Sequence, residues 1–325
     1  MVSTPATGSS GSTATAEDRL SSLPDKLLHN IMSFLPAWQA VQTCVLSPTW
    51  RNLWRSMPCL DIDQREFDAA ASRLEPGAIA RPGNAAQVAS CWGCAGRGVF
   101  AQKLRSGAGC PVLEDLRIER CLLDSPEITC HTLKRLVVID CGSYFDSVLT
   151  ITAPALASFH LAMATTGCNW RGIIVVNEMP SLVKASVCSS HVASCKLLCS
   201  LVNVQMLELS GSKTLSMLHM ESDTFPTFHN LRILLFDGCN LNDNFKILGC
   251  FLNNAPTLEK LTVHYCQLPG HSGKRKRTAL PIEIPAQHLD RVTFQCTKLK
   301  WTEIKNKLSG IWSNLQKSSI TVTKA

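Results

Sequence analysis

The feature that most constrains the fold is a short apolar motif that recurs through the second half of the chain. Each copy has the form Leu-x-x-Leu-x-Leu, with Ile, Val, Ala or Phe at some apolar positions, and four copies are followed by a cysteine. The first apolar residues of the eight copies are 20 to 31 residues apart: Leu113, Leu133, Leu156, Leu182, Val204, Leu231, Leu258 and Leu289. Such a repeat predicts a stacked array in which each copy packs on its neighbours.

The spacing inside one copy predicts a short strand. Its last two apolar positions alternate with polar ones, so their side chains point into a core that consecutive copies share. The motif and its interval are those of leucine-rich repeats. We expect the cysteines to form a ladder in that core, where a small side chain turns the chain and satisfies backbone groups: Cys121, Cys141, Cys239 and Cys266. The unequal intervals predict an irregular solenoid.

Helices are predicted beside and after the repeats. One apolar helical face ends before Ala255 and Pro256, so the side opposite the strands is expected to be partly helical. This face consists of Phe245, Leu248, Phe251 and Leu252. Another helix is expected from Thr302, where it would cap the open end of the array. Its apolar face consists of Ile304, Leu308, Ile311, Trp312 and Leu315.

A compact helical segment is predicted near the N-terminus, at about residues 17–60. Pro24 suits the first turn of a helix, and Pro36 would end that helix. Its apolar stripe consists of Leu27, Leu28, Ile31 and Leu35. A second helix is expected near residues 41–45, and a third from Pro48 would carry Trp50, Leu53 and Trp54. Because about 40 residues is near the lower limit for a domain that folds alone, we expect part of this apolar surface to belong to a partner.

These residues resemble the F-box motif in the Leu23-Pro24 pair, the Leu35-Pro36 stop and the block at 45–54. The resemblance implies binding to the Skp-type adaptor of a Skp–cullin–F-box ubiquitin ligase, helix face against helix face. Carried over by position, the interface or its immediate support would consist of Leu23, Pro24, Leu27, Leu28, Ile31, Leu46, Trp50 and Leu53. The spacing leaves open which of these side chains face the adaptor and which face the motif's own core.

The later part of the chain, at about residues 110–318, is similar to plant F-box/leucine-rich-repeat proteins. The similarity lies in an ordered series of phrases, among them Cys110-Pro-Val-Leu, Met179-Pro-Ser-Leu and Asn254-Ala-Pro-Thr-Leu. It implies an α/β fold class. A small all-α F-box of three short helices would precede an irregular leucine-rich-repeat solenoid with a C-terminal capping helix.

The predicted organisation has five parts: a disordered tail at 1–16, the F-box at 17–60, an irregular linker at 61–109, the repeats at 110–300, and a helix and tail at 301–325. The third part departs from the family, whose members usually carry further strands and repeats there. It is either a flexible linker or a lesion that removed or replaced the first repeats. We favour the lesion, which predicts a loosely attached F-box and an incomplete substrate surface.

Composition narrows the expected environment. None of the apolar runs in the 325 residues is long enough to cross a bilayer, so no membrane partner is expected. The N-terminus does not have the basic and apolar segments of a secretory signal, and no Asn lies in a glycosylation sequon. The 16 cysteines are therefore expected to be reduced, in the cytoplasm or nucleus. The net charge of +7 permits acidic partners without demanding nucleic acid.

Three polar clusters could carry chemistry. Cys91 and Cys94 form an isolated C-x-x-C pair without a second pair at zinc-finger spacing. If their segment is one helix, three thiols and an imidazole share a face, although such groups are also ordinary core residues: Cys188, His191, Cys195 and Cys199. We expect no metal at either place. A basic run is a solvated loop, a nuclear-import signal or a contact for an acidic partner: Lys274, Arg275, Lys276 and Arg277.

No catalytic motif is visible, neither a nucleotide-binding glycine loop nor a G-x-S-x-G or H-E-x-x-H sequence. We expect a non-enzymatic protein without a cofactor. The resemblance implies a substrate receptor whose F-box binds the adaptor and, through it, a cullin, while the repeats hold an unidentified protein for ubiquitination. The alternative is a repeat scaffold outside any ligase, with an orphaned F-box. A nucleic-acid-associated protein is the weakest alternative.

Overall fold

A computed structural model describes most of the repeats and parts of the N-terminal segment. The described residues are 22–35, 37–43, 46, 50, 53, 56–63, 65, 111–121, 127–142, 147–163, 170–175, 179–189, 195–211, 225–241, 246–266, 291–295 and 319–323. The strands are β1 Cys59–Asp63, β2 Asp115–Glu119, β3 Glu127–Thr129, β4 Arg135–Ile139, β5 Ser147–Thr152, β6 Ser158–Met163, β7 Trp170–Val175, β8 Lys184–Ser189, β9 Met206–Ser210, β10 Ile233–Asp237, β11 Lys260–His264, β12 Arg291–Gln295 and β13 Ser319–Thr323. Ten of them form one sheet, in the order β1-β2-β4-β6-β8-β9-β10-β11-β12-β13.

Each of the eight predicted repeats supplies one strand of the large sheet, and all its strand pairs are parallel. The middle apolar position of each copy pairs with that of the next, from Leu116 in β2 to Val292 in β12. Wherever their burial is described, the side chains at the apolar positions of the motif are at most 3% exposed. The predicted solenoid-like arrangement is confirmed, because one continuous core runs beneath the sheet.

The strands begin at a hydrogen-bond junction that recurs from repeat to repeat. The carbonyl oxygen of Glu114 accepts the N–H groups of Lys134 and Arg135 at 2.7 and 2.9 Å. Other carbonyl oxygens that accept two N–H groups from the next repeat belong to Pro58, Lys134, Ala157, Val183, Gln205 and Arg232. A slip of one strand would break this junction and would also turn its apolar side chains outward, so the register is strongly fixed.

Several strands end in a left-handed residue followed by a cysteine. Arg120, Asp140 and Gly238 have φ angles of 53°, 47° and 61°. The cysteine thiols after them donate to carbonyl oxygens of the preceding repeat, and the Sγ–O distances are 3.7, 3.5 and 3.1 Å for Cys121, Cys141 and Cys239. The predicted cysteine ladder is therefore confirmed at these positions. Each thiol thus has a hydrogen-bond acceptor in a strand of the neighbouring repeat.

The wall opposite the large sheet changes from strands to helices along the chain. β3, β5 and β7 form a three-stranded parallel sheet beside the early repeats. Two helices follow, α3 at Cys195–Ser200 and α4 at Lys246–Asn253. α4 confirms the predicted helical face, since the ring of Phe251 packs edge-on against Phe236 of β10, with ring centroids 5.8 Å apart. The helices α1 and α2 lie in the N-terminal segment.

The N-terminal segment contains α1 at Asp25–Ser33 and α2 at Ala37–Gln42. Pro24 directly precedes α1, and its carbonyl oxygen accepts the N–H groups of Leu27 and Leu28 at 2.8 and 3.2 Å. The predicted third helix stays a prediction. Of the residues from Pro48 to Trp54, the structure describes only Trp50 and Leu53, which lie in 3-10 turns.

The large sheet extends beyond the predicted repeats at both ends. β1 pairs with β2 and places Leu60 beside Leu116, so Met57-x-x-Leu60-x-Ile62 is a further copy of the motif that we did not predict. β13 pairs with β12, so a strand stands where we expected a tail. The predicted capping helix falls on residues 301–318, outside the described residues.

The expectation of a loosely attached F-box is wrong. β1 follows the N-terminal helices directly and is hydrogen-bonded along its length to the first repeat. α2 also packs against β1. Cys59 and Asp115, which pair across β1 and β2, are 56 residues apart in sequence. The two ends of this long segment of sequence are therefore neighbours on adjacent strands of the sheet.

Candidate functional site

Helix α1 has apolar side chains on two faces, one buried and the other largely exposed. Leu28 and Met32 are fully buried. On the adjacent face Leu27 is 50% exposed, Ile31 40% and Phe34 80%. With Pro24, these residues recur at intervals of three and four positions, which places them in one stripe. We call Pro24, Leu27, Ile31 and Phe34 the N-terminal apolar surface.

The structure divides the eight residues of the predicted adaptor interface into two groups. Leu28, Trp50 and Leu53 are buried, and half-buried Leu23 packs against the same core. These four side chains support the segment from inside. The exposed members are Pro24, Leu27, Ile31 and Leu46, of which Leu46 is 58% exposed. Phe34 was not predicted, although its spacing from Leu27 and Ile31 could have revealed it.

An ion-pair cluster ties β1 to β2 at the carboxyl ends of the strands. Glu119 is 9% exposed, and its carboxylate contacts Arg117 at 2.7 Å, Arg65 at 3.3 Å and also Arg120. Arg65 additionally pairs with Asp63 at 2.6 Å. Hydrogen bonds from Arg65 lower the pKa of the Asp63 carboxyl. Three guanidinium groups therefore neutralise two carboxylates on adjacent strands, which fastens the F-box segment to the first repeat.

A cavity of about 400 Å³ lies where the N-terminal helices meet the large sheet. Ser33, Leu35 and Met57 line it from the helical side, and Arg135 and Val137 line it from the sheet. Its charges are largely paired, since Arg135 contacts Asp115 at 3.5 Å. The cavity therefore offers mixed polar and apolar walls without an excess of either charge.

The outer face of the large sheet is the other extended surface. Along each strand the residues between the buried apolar positions point outward and form rows across neighbouring strands. The row at the strand starts contains Cys59, Asp115, Arg135, Ser158, Lys184, Met206, Ile233 and Lys260. Beside it runs a second row, of Asp61, Arg117, Val137, His160, Ser186, Glu208, Leu235 and Thr262. The face is charged over the first strands and more apolar over β9 and β10.

The condition under which Cys188, His191, Cys195 and Cys199 would share a helix face is not met. Cys188 lies in β8, and the helix α3 begins only at Cys195. Burial raises the pKa of the Cys188 thiol, which disfavours the thiolate that a metal needs. Among the described residues, no group of three His, Cys, Asp or Glu side chains could hold a metal ion.

Two predicted clusters fall outside the described residues: the pair Cys91 and Cys94, and the basic run Lys274, Arg275, Lys276 and Arg277. Among the described residues, no cysteine forms a disulfide. In the ladder, a hydrogen bond with Cys266 and burial together raise the pKa of the Cys239 thiol. None of the described helices is long and apolar enough to pass through a bilayer.

Comparison with protein families agrees with both parts of this architecture. The F-box domain matches residues 20–61, which contain α1, α2 and the start of β1. The leucine-rich-repeat domain of the At1g61320/AtMIF1 family matches residues 108–305, more than half of the chain. The chain belongs to this leucine-rich-repeat family. It is thus an F-box/leucine-rich-repeat protein, as the sequence resemblance implied.

Individual relatives of this F-box/leucine-rich-repeat protein come from plants. The protein MEIOTIC F-BOX MOF of Oryza sativa subsp. japonica is 28% identical over an alignment that covers 89% of this chain and 80% of the relative. The F-box/FBD/LRR-repeat protein At5g22660 of Arabidopsis thaliana is 55% identical over 17% of this chain and 12% of its own length. The F-box/LRR-repeat protein At3g58930 of Arabidopsis thaliana is 50% identical over 18% and 13%, respectively. No solved structure matches the chain.

Proposed function

We propose that this protein is the substrate-recognition subunit of a Skp–cullin–F-box E3 ubiquitin ligase. Its F-box, with three short helices, would bind a Skp-family adaptor and through it a cullin, while the repeats would hold the protein to be ubiquitinated. The observation that carries the proposal is the N-terminal apolar surface, which α1 leaves exposed while its other face fills the core. Unpartnered apolar stripes of this kind serve as helix-docking faces.

The energetics favour a partner for this surface. Complete burial of an exposed side chain of this size contributes about 1.5–3 kcal/mol of transfer free energy, before the entropic costs of association. Phe34, which is 80% exposed, would gain most of this from a partner, and Leu27 and Ile31 would each gain about half, because they are 50% and 40% exposed. Leu28, Trp50 and Leu53 would act indirectly, by holding the helices that present the stripe. The proposed interface therefore separates contacting residues from supporting ones.

The proposed mechanism is proximity. One chain with two binding surfaces raises the local concentration of substrate lysines near a ubiquitin-loaded enzyme. The sheet pairing of β1 with β2 supports this role, because it connects the F-box segment to the repeats through hydrogen bonds. In this proposal the bond-forming chemistry belongs to other subunits, and the protein works without a cofactor in the cytoplasm, the nucleus or both.

The decisive test changes the stripe while leaving the core intact. We expect Leu27→Asp combined with Phe34→Asp to abolish co-purification of the Skp-family adaptor and the cullin, because charged groups would replace the contact surface. The matched control is Val112→Asp, which changes a side chain that is 45% exposed beside the first repeat and should leave adaptor binding unchanged. Adaptor retained by the folded double variant would contradict the proposal.

The scaffold alternative predicts a different outcome for the unmodified protein. If the folded wild-type chain binds neither adaptor nor cullin and supports no ubiquitin transfer in a reconstituted reaction, its F-box is orphaned. Recovery of adaptor, cullin and ubiquitin transfer together supports the receptor.

A further inference from the structure

The strands β8 to β11 carry an unusual outward row. The strand register places Lys184, Met206, Ile233 and Lys260 side by side at the starts of four consecutive strands. Neighbouring strands are about 4.8 Å apart, so the two lysine positions are separated by roughly 14 Å across the sheet. Two apolar residues therefore stand between two cations.

The centre of this region is apolar on the face that points away from the core. Met206 and Ile233 are half-buried in the first row, and Leu235 is half-buried next to Ile233 in the second. Val183, which leads into β8, is 45% exposed. The outward face of a sheet is usually polar when water covers it, so this patch is suited to a ligand's apolar side chains. We call Val183, Met206, Ile233 and Leu235 the repeat apolar patch.

Two exposed lysines, Lys184 and Lys260, flank the patch. Lys184 and Lys260 are exposed and form no ion pair with any described residue. Basic groups elsewhere at the strand starts are matched, as Lys134 is by Glu114 at 2.7 Å and Arg135 by Asp115 at 3.5 Å. The register continues the basic row to the position of Arg291. Among the described residues at the strand starts, acidic groups on a ligand would thus find lysines without an ion-pair partner over these later strands.

Carboxylates on the other side of the patch fix an orientation. Glu208 lies in the second row, and Asp237 ends β10. These groups would repel an acidic ligand that ran along the strand ends. A ligand with carboxylates is therefore directed to the row of Lys184 and Lys260, where its apolar side chains can reach Met206, Ile233 and Leu235.

We propose that this region binds an extended peptide segment of the ubiquitination substrate, with two acidic residues flanking apolar ones. An extended chain advances about 3.3 Å per residue, so acidic residues about four positions apart match the span between the lysines. This inference rests on the proposed function, which identifies the bound peptide as part of a ubiquitination substrate. Its physical basis is the repeat apolar patch with Lys184 and Lys260 at its two sides, neither of which forms an ion pair with a described residue.

A selection with random linear peptides displayed on phage against the full chain tests the chemistry directly. We expect enrichment of peptides with two Asp or Glu residues about four positions apart and Leu, Ile, Met or Phe between them. Peptides that were synthesised from the enriched set should bind the chain more weakly as salt is added, since exposed charges are screened. No enrichment, or enrichment of basic peptides, would overturn the proposal.

Charge reversal then locates the site. Lys184→Glu combined with Lys260→Glu should weaken the binding of the enriched peptides by about tenfold or more. Leu235→Asp should weaken their binding similarly. The matched control Lys134→Glu reverses a charge at the start of β4 and should leave affinity within about twofold. Unchanged affinity in the double variant, with folding verified by thermal unfolding, would also overturn the proposal.

The same variants distinguish this proposal from the ligase assignment. Lys184→Glu with Lys260→Glu should retain the Skp-family adaptor, because the substituted residues lie on repeats far along the chain from α1. Peptide selection without adaptor binding would refute the ligase assignment and keep the peptide surface. Adaptor binding without peptide selection would refute the peptide surface alone.

Discussion

The left-handed backbone conformation at several strand ends restricts which residue types are favourable there. Gly238 has a φ of 61°, and a Cβ atom at this position would meet nothing within 4 Å. Arg120, Asp140 and Tyr265 adopt the same region with side chains present. The turn thus accepts any residue for which the surroundings outweigh the steric cost of a left-handed conformation.

Gly238→Ala isolates this cost, because the open space excludes a clash. We expect the free energy of unfolding to fall by about 1 kcal/mol, owing to the unfavourable φ for an L residue. Urea denaturation measures it. Ser158→Ala, on the outer face of β6, is the control and should stay within about 0.5 kcal/mol of the wild type. An unchanged Gly238→Ala variant would refute the conformational explanation.

His160 gives stability a defined pH dependence at the residue scale. Burial lowers the pKa of His160 below its ordinary 6.5, with smaller lowering by Arg117 and Lys184 and opposition from Glu208. His160 therefore binds a proton more readily in the unfolded chain than in the folded one. Its contribution to the free energy of unfolding is fully present above pH 6.5 and decreases as the pH falls below that value. Asp63, whose pKa is lowered, loses its contribution only in more acid solution, as the pH falls below 3.8.

The test compares urea midpoints at neutral pH and at about pH 5. We expect His160→Gln to lose less stability than the wild type over this interval, because the substituted amide does not titrate. An equal loss in both proteins would assign the pH dependence to other groups.

At the scale of elements, α4 shows how one helix closes the core of a repeat. Phe251 contacts three aromatic rings, with centroids 4.9 Å from Phe225, 5.6 Å from Phe228 and 5.8 Å from Phe236. Asn254 ends the helix, where its Nδ2 donates to the carbonyl oxygen of Cys250 at 2.9 Å. The helix is thus fixed by packing at its centre and by a hydrogen bond at its end.

Phe251→Ala should be among the most damaging substitutions in the repeats. Because the ring is fully buried, we expect a loss of about 3–5 kcal/mol from lost transfer free energy and the remaining cavity. Denaturant unfolding measures it, with Phe251→Leu as a partial control that should retain much of the stability. A loss below about 1 kcal/mol would mean that α4 contributes little to the core.

At the scale of the whole molecule, the sheet joins the F-box segment and the repeats into one continuous structure. β1 supplies the join through its pairing with β2, and the carboxylate of Glu119 fastens it through Arg65, Arg117 and Arg120. Substitutions in this ion-pair cluster should therefore affect both halves of the protein together.

Glu119→Ala removes the carboxylate that the three arginines share. We expect a loss on the order of 1–2 kcal/mol, less than for a fully buried pair because the guanidinium groups are partly exposed. The control Glu114→Ala breaks the exposed pair with Lys134 and should cost about 0.5 kcal/mol or less. Equal effects in denaturant unfolding would contradict a special role for the cluster.

The repeat motif was sufficient to predict the strands and their shared core. Leucines at fixed spacing, such as Leu116 and Leu136, lie side by side on paired strands and bury their side chains in the same core. The spacing predicted an apolar stripe on α1, but it missed Phe34 and could not assign Leu27 to solvent and Leu28 to the core. The Glu119 cluster depends on residues distant in sequence, which no local pattern reveals. β1 could have been found from Met57, Leu60 and Ile62, had the motif been sought before residue 110.

Between β1 and β2, the number of residues in the chain does not determine the distance between the two strands, because the strands are paired directly. Elsewhere, adding a repeat adds one strand and moves everything beyond it about 4.8 Å farther from the helices. Between residues 66 and 110 the sequence can grow or shrink while Cys59 stays beside Asp115. Evolution can therefore rewrite that interval without changing the distance between the N-terminal helices and the later strands of the sheet.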